Sequence, residues 1–557
     1  MEEKSFYVTY VGNIEEDLEK FGINKYIIIN SNLALLYVPV SFQAKVLNQI
    51  KTIKWWNENR PMSPMISLDS NTGSNYTIRN ASGVDYIYNN SFNDVTGRDI
   101  LIGVIDSGVD YLHPDLIDEF GNSKILTLWD QESTLKPPPG RFLFGSEFSR
   151  EEINEAIRRQ DPSLSEDRRG TGTIVSGILV GQGNINPAYV GVATGAELVV
   201  VKLREYQDEY YEDKYNYTIN DFLAAIAYII EVAGREWRDV IINFTVGARS
   251  SFGYVSVLNT WPEMAFPGVI FVSGAGDQRN TYIHYAGKFE NQDSVNDIIF
   301  EFGDGDGLDI FVEGAGIDRI DGRIISPSGE MSYNALYAPD YYEYTGKFNL
   351  EDTTYMVRYF YPWASTGSEL LEINLRNMKP GSWTLRLTPN EYSSGEYHVY
   401  LPNRNLMSNR DGFIDSDSFS NITLFGYDFD VITVGAYDNR YDSMWVGSSR
   451  GPVRAPWVKP DIAAAGVNII STFPNKAYRP GTGTGISSSI VSGILALIME
   501  YIKQQSPAPK FLLFPQPLKT YLMLGAERRN IYNFPNDSFG YGVVNFKNTI
   551  QKISENL

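Results

Sequence analysis

"GTGISSSIVSG" (Gly483–Gly493) enters a helix on small residues and continues as "IVSGILALIM", an apolar run that meets its first charge at Glu500. Glycine lets a chain turn tightly, and a helix that is apolar all round is a buried one. A buried helix needs a sheet to cover it, and the sequence supplies strands of the matching kind. "DILIGVIDSG" from Asp99, "ELVVVKL" from Glu197, "DVIINFTVG" from Asp239 and "GVIFVSGAG" from Gly268 are continuous apolar runs that end in turns. Such runs read as strands buried on both faces of a parallel sheet. Helical stretches such as "DFLAAIAYIIEVAG" (Asp221–Gly234) stand between them. The alternation predicts a doubly wound, mostly parallel α/β domain.

That pattern occupies residues 97–285 and resumes with "DVITVGAYD" over 426–557. Between them, over 286–425, the helical period is lost. Short alternating runs ("DIFVEG", "SWTLRL", "GEYHVYL") separated by turn residues predict an inserted antiparallel β domain of jelly-roll type. Residues 1–65 carry β-like runs ("SFYVTYV", "KYIIINS", "ALLYVPV") alternating with helical ones ("EEDLEKFG", "QAKVLNQIK"). This β-α-β-β-α pattern, closing near "IKWWNENRP", suggests a small α+β domain of split βαβ type. Residues 66–96, rich in Ser, Asn and Gly, read as a linker.

The bulk numbers exclude several classes. The 557 residues carry a formal charge of -21, which opposes nucleic-acid binding and docking on anionic lipid. With no Cys and only His113, His284 and His398, disulfides, thiolate metal sites and His-rich metal sites are ruled out, and no cofactor is expected. The start "MEEKSFYVTYVG" lacks the features of a signal peptide. The apolar runs near 222–233 and 490–502 fall short of the roughly 20 residues of a membrane span, so no transmembrane segment and a cytosol-like compartment are expected. "GDGDGLD" (Gly303–Asp309) departs from calcium-loop spacing and reads as a Gly/Asp hairpin turn. "YQDEYYEDKYNY" (Tyr206–Tyr217) is either a solvated loop or a partner-binding edge, since Tyr favours interfaces.

The distinctive signal is an ordered set. "DSGVDYLHPDL" from Asp106, "GTGTIVSGI" from Gly170, "SSRGP" (Ser448–Pro452), "KPDIAAAG" (Lys459–Gly466), "GTGISSSIVSG" and "FGYGVVN" (Phe539–Asn545) follow one another in this order. In order and spacing they resemble the subtilisin-like serine proteases, or subtilases, over about 97–285 and 425–550, and the N-terminal domain resembles that family's propeptide. The family's catalytic Asp lies in "D-S/T-G", which Asp106 retains. Its His lies in "G-H-G-T-H-V-A-G", which places Thr171 at the catalytic position. Its nucleophile lies in "G-T-S-x-A-x-P", which places Gly485 there. Its oxyanion Asn follows "A-A-G", and "GAGD" places Asp277 there. Ser489 and Ala465 replace two family prolines.

The resemblance therefore implies a protease site without its chemistry. Acyl transfer needs an activated hydroxyl, a base and donors aimed at the oxyanion. Gly485 has no side chain, Thr171 is no base near neutral pH, and an ionised Asp277 only accepts hydrogen bonds. Loss of the Ser or His alone costs ~10⁶ in rate in subtilisin. No peptidase activity by the family mechanism is expected. Ser487, Ser488 and Ser489 face different directions on a helix, Ser487 and Ser488 read as packing residues, and none of the three His lies in the family's base motif.

A propeptide-like domain, no Cys and a large β insertion between "GAGD" and "VGAYD" resemble the Csp subtilases of spore-forming bacteria, among them the catalytically inactive members. That resemblance implies a regulator packaged in the spore, acting in germinant sensing or signalling upstream of an active Csp protease that activates a cortex hydrolase. Bile salts are the associated germinant class. Other Csp subtilases and a cortex-hydrolase proenzyme are the implied partners. Without a nucleophile, residues 1–65 should stay attached with the linker across the cleft. A scaffold that sequesters a protease or its substrate, a hydrolase using other residues, and a Tyr-rich storage or coat protein remain as alternative classes.

Overall fold

The structure is a computed structural model that describes residues 3–68, 77–85, 95–207, 215–251, 258, 261–336, 343–363, 367–505 and 509–555. The central sheet has nine strands. Its order along one path is Ser443–Met444, Val431–Asp438, Val269–Gly274, Asp239–Phe244, Ile100–Asp106, Glu197–Lys202, Ile125–Asp130 and Ser146–Ser149, with Ile462–Ala465 also paired to Val431–Asp438. Neighbours are parallel except at the two outer pairs, Ile125–Asp130 with Ser146–Ser149 and Val431–Asp438 with Ser443–Met444. The continuous apolar runs have the expected cause, since all seven residues of Ile100–Asp106 are buried.

Alternation along these strands sorts the side chains into two cores. Ile100, Ile102 and Val104 pack with Ile174 and Ile178 of the helix Thr171–Val180 and with Ile490 and Ile494 of the helix Thr484–Lys503. Leu101 and Ile105 face the other way, onto Phe222 and Ile226 of the helix Ile219–Glu236. The helix Thr484–Lys503 begins at the Gly-rich turn itself, earlier than the 490–502 run suggested. It is 20 residues long and apolar enough to cross a membrane by length and composition, and 94% of its most apolar 18-residue stretch is buried inside the protein as the central core helix.

The N-terminal domain is a four-stranded antiparallel sheet in the order Tyr26–Asn30, Leu33–Pro39, Glu3–Tyr10, Ile53–Glu58. The run "QAKVLNQIK" forms a 3-10 helix, Ala44–Gln49, and "IKWWNE" is a fourth strand. One face of the sheet closes over Leu18 and Leu47, while Tyr7, Ile29, Leu35 and Tyr37 on the other join the core around the helix Ile219–Glu236. The inserted domain is a sandwich. A six-stranded antiparallel sheet (His284–Lys288, Glu396–Tyr400, Gly307–Gly314, Ser368–Arg376, Thr354–Trp363, Glu343–Lys347) packs on a four-stranded one (Arg319–Ile325, Gly381–Glu391, Asn296–Phe302, Gly412–Phe413). Trp383, Leu385, Ile310 and Ile373 fill the space between.

Two small sheets take in the segment that leaves the N-terminal domain. Pro61–Pro64 lies between Tyr215–Thr218 and Val246–Ala248, antiparallel to both. Ser67–Leu68 pairs with Ala477–Thr482. Prolines stand at both ends of the first of these strands, where a missing donor costs least.

The end of the linker is tied to the core helix by one carboxylate. Glu500 Oε2 accepts the backbone N–H groups of Thr96, Gly97 and Arg98 at 2.6, 2.6 and 3.1 Å. Glu500→Ala strands three donors in a mostly buried place. It is expected to lower the unfolding free energy by roughly 2–4 kcal/mol, read as a lower midpoint in a urea titration.

Candidate functional site

The carboxyl ends of the parallel strands converge on one cleft. Asp106 ends its strand there and is 2% exposed. Its Oδ1 accepts from Thr171 Oγ1 at 2.5 Å and from the Ser107 N–H at 2.7 Å, while Oδ2 accepts from Thr245 Oγ1. Burial pushes the Asp106 carboxyl above its usual range, and these hydrogen bonds act against that shift. Thr171 is the first residue of its helix and is itself buried. Its hydroxyl is spent on Asp106 and lies 2.8 Å from Ser107 Oγ. Asp167 fastens this corner, accepting from Ser107 Oγ at 2.7 Å, from the Gly170 N–H at 2.7 Å and from Thr173 Oγ1 at 2.6 Å. The approach is backbone on backbone: a β-carbon on Gly172 would sit 2.0 Å from the Gly108 carbonyl oxygen.

Opposite lies the turn at Gly483–Gly485. Gly485 presents its N–H to the Met65 carbonyl at 2.9 Å, and Met65 donates its own N–H to the Thr245 carbonyl at 2.8 Å. A β-carbon on Gly485 would stand 2.8 Å from Ile66 Cγ1 and 2.9 Å from the Met65 oxygen. A side chain at position 485 would thus emerge against the Met65–Ile66 peptide bond. Residues 61–64 and 67–68 pair with the cleft's own strands on either side of that bond, in the way an extended peptide adds to a sheet edge.

Asp277 is half-buried beside the same carbonyl. Its Oδ1 accepts from the Thr484 N–H at 2.9 Å and from Thr484 Oγ1 at 2.8 Å. A β-carbon on Gly483 would meet the Met65 oxygen at 2.2 Å and Asp277 Oδ2 at 2.7 Å, so these two oxygens flank one point. Burial raises the Asp277 carboxyl to about 7, against the pull of Thr484. The sequence treats Asp277 as an ionised acceptor. The structure refines this, because near neutral pH a large share is protonated, and the protonated form carries a donor.

The neighbouring hydroxyls are committed to the core. Ser487 Oγ donates to the carbonyl of Ala464, Ser488 Oγ to that of Gly485, and Ser489 Oγ to that of Gly485 while accepting from Asn243 Nδ2. His113 Nε2 lies 3.1 Å from the Ala477 carbonyl oxygen, and its Nδ1 accepts from the Asp115 N–H. His284 and His398 face each other at 2.8 Å in the inserted domain, and burial holds them at about 4 and about 3. Asp106, Thr171, Asp277 and Gly485 are therefore brought to one cleft, and these three Ser and three His are engaged elsewhere.

"GDGDGLD" turns between the strands Asn296–Phe302 and Gly307–Gly314, with Asp309 paired to Arg376 at 2.7 Å. Of Tyr206–Tyr217, residues 208–214 lie outside the described residues. Its end at Tyr217 pairs with Met62, so this edge carries the chain's own segment. Thr245, Asp167 and the Met65–Ile66 bond are the site features that motif reading missed. Nothing marks "MSPM" in sequence except its position at the domain boundary.

Comparison with known proteins identifies the family and the fold. The subtilase family model matches residues 97–299 and 396–542, more than half of the chain. Serine protease AprX of Bacillus subtilis is 37% identical over 140 residues, covering 22% of this chain and 29% of AprX. An intracellular serine protease of Paenibacillus polymyxa is 26% identical over 216 residues, 38% of this chain and 53% of that protein. The matched stretches thus span well under two thirds of these relatives. Among solved structures, the CspB protease of Clostridium perfringens superposes with a TM-score of 0.75 at 24% identity, covering 86% of this chain and 97% of that one.

Asp277 generates a pH prediction. Its carboxyl is raised on folding, so between the ordinary carboxylate range near 4 and about 7 the native state holds a proton that the unfolded state has lost. This contribution to stability is full below pH 4 and is lost as pH rises through 7. Asp277→Asn keeps the acceptor for Thr484 and removes the titration. The variant is expected to gain roughly 1–3 kcal/mol over the parent above pH 7 and little below pH 4, read from urea midpoints across pH.

Proposed function

The chain belongs to the subtilase family, and from that premise we propose that it is a pseudoprotease whose cleft is permanently filled by its own chain. The observation that carries this reading is the Met65–Ile66 bond lying against Gly485, with the Gly485 N–H on the Met65 carbonyl at 2.9 Å. A peptide bond sits in the reacting position, yet position 485 offers no nucleophile. Position 171 offers a hydroxyl already bonded to Asp106. Of the donors that would stabilise an oxyanion, the Gly485 N–H remains and Asp277 supplies one only when protonated.

In biological terms we infer a Csp-type regulator of bacterial spore germination, similar to the inactive CspC-like members of that group. It would act in sensing or relaying a germinant of the bile-salt class, in the spore, upstream of an active Csp protease that activates a cortex hydrolase. The likeness in fold to the Clostridium perfringens CspB protease supports the group, and the filled cleft supports a role that needs no turnover. Sequestering a protease or its substrate through the cleft is the weaker reading, because the strands that would hold such a peptide are already paired with residues 61–68.

Purified protein should show one intact mass near 62.8 kDa, with the N-terminal domain attached. Spontaneous release of an N-terminal fragment ending near Met65 would overturn the pseudoprotease reading. Thr171→His with Gly485→Ser should cleave only partly at Met65–Ile66, and adding Asp277→Asn should increase cleavage, followed by the same mass measurement. Complete cleavage by the double variant would show that Asp277 opposes the reaction less than argued. Spores lacking the chain should fail to respond to bile salts, and unchanged germination would refute the sensing role.

A further inference from the structure

Beside the filled cleft lies a cavity of about 840 Å³ that no single part of the chain could form. Its walls come from the N-terminal domain and the segment leaving it (Trp55, Asn57, Arg60), from the catalytic-fold strand end (Arg249) and from the inserted sandwich (Phe311, Met356). The volume is within the range of sites that take drug-sized molecules, and such sites favour domain junctions.

The chemistry of the walls narrows the occupant. Each guanidinium already has a carboxylate: Arg60 with Glu372 at 3.2 Å, Arg358 with Glu58 at 3.3 Å, Arg249 with Glu313 at 3.0 Å and Arg376 with Asp309 at 2.7 Å. Three of these carboxylates, Glu58, Asp309 and Glu372, line the cavity beside the four arginines, with Glu313 behind Arg249, so a polyanion would meet nearly as many negative charges as positive ones, and nucleotides and polyphosphates do not fit. The first three pairs bridge different parts of the fold and hold the cavity's walls together. Arg60 and Arg249 stand over the Phe311 ring, 4.6 and 4.0 Å from its centre, as cation–π contacts that fix that ring in the wall. Asn57 gives its Nδ2 to Tyr7 at 2.9 Å, and no described donor reaches its Oδ1. Arg60 commits only Nη2 to Glu372 among the described residues.

We propose that this cavity is a binding site for one amphipathic small molecule: an apolar ring body against Trp55, Phe311 and Met356, hydroxyl groups toward Asn57, and at most one anionic group toward Arg60. The assignment deepens the sensing role above and rests on it. Pro61, which also lines the cavity, begins the strand that runs through the cleft. An occupant therefore touches the N-terminal domain, the insertion and the threaded segment at once.

Cholate, a hydroxylated ring system with one carboxylate, is the probe, used on the full chain. A photoreactive cholate should label peptides containing residues 55–61 and 354–376, competed by unmodified cholate. Met356→Trp, which fills the cavity, should weaken binding measured by calorimetry at least about tenfold, with an unchanged melting temperature showing that the fold is intact. Competable labelling confined to other surfaces overturns the assignment, and so does the absence of saturable binding below about 1 mM. The sensing role is decided separately: if spores without the chain ignore bile salts while the purified protein binds no cholate, the cavity assignment alone falls.

Discussion

The hydrogen bond from the Gly485 N–H to the Met65 carbonyl, 2.9 Å long, is the contact on which the arrangement depends. It places a peptide bond of the chain itself where a substrate's would lie, and two sheets built on either side keep it there. A glycine at 485 is compatible with this contact in a way a larger residue is not, since Ile66 Cγ1 would be only 2.8 Å from an added β-carbon. The absence of a side chain at 485 and the close seating of Ile66 are thus one structural fact. The segment packs into space that a serine side chain would occupy.

The other buried polar groups of the cleft are satisfied by one another. A buried carboxylate needs donors, and Asp106 finds them in Thr171, Thr245 and the Ser107 amide. A threonine hydroxyl at 171 serves that need, and a hydroxyl is no general base near neutral pH. Asp277 is held by Thr484 in the same spirit, with Oδ1 taking both the amide and the hydroxyl. The frame survives because its residues satisfy one another.

Much of this was legible in the sequence, for reasons that can be named. The apolar runs around Ile100–Asp106 and Asp239–Phe244 give the parallel sheet because burial on both faces leaves no alternation to confuse the reading. The motif order then places Asp106, Thr171, Asp277 and Gly485, and the structure does bring them to one cleft. What stayed hidden is contact between distant segments. Nothing local in "MSPM" says that Met65 faces Gly485. Asp277 has a carboxyl near 7 only because of what buries it. The strand at Ile53–Glu58 read as a closing stretch because its burial alternates weakly, with its side chains shared between the domain and the cavity.

In the signalling role proposed above, tethering decides how the molecule can carry a signal. A segment joined to its own binding cleft competes at an effective concentration in the millimolar range or above, so no dilute peptide displaces it. Information therefore has to enter through a surface that acts on the tether. The junction cavity has the required connectivity, since Pro61 is at once part of its wall and the start of the threaded strand, with Arg60 just before it. The ion pairs Arg60–Glu372 and Arg358–Glu58 tie the residues just before that strand to the inserted sandwich, and Asn403 Nδ2 donates to the Gly247 carbonyl of the strand beside it at 3.1 Å. A group entering among them would shift three bodies together. On this view the inserted domain is the arm that reads the state of the N-terminal segment, and the protease fold is the clamp that holds the segment still enough to be read.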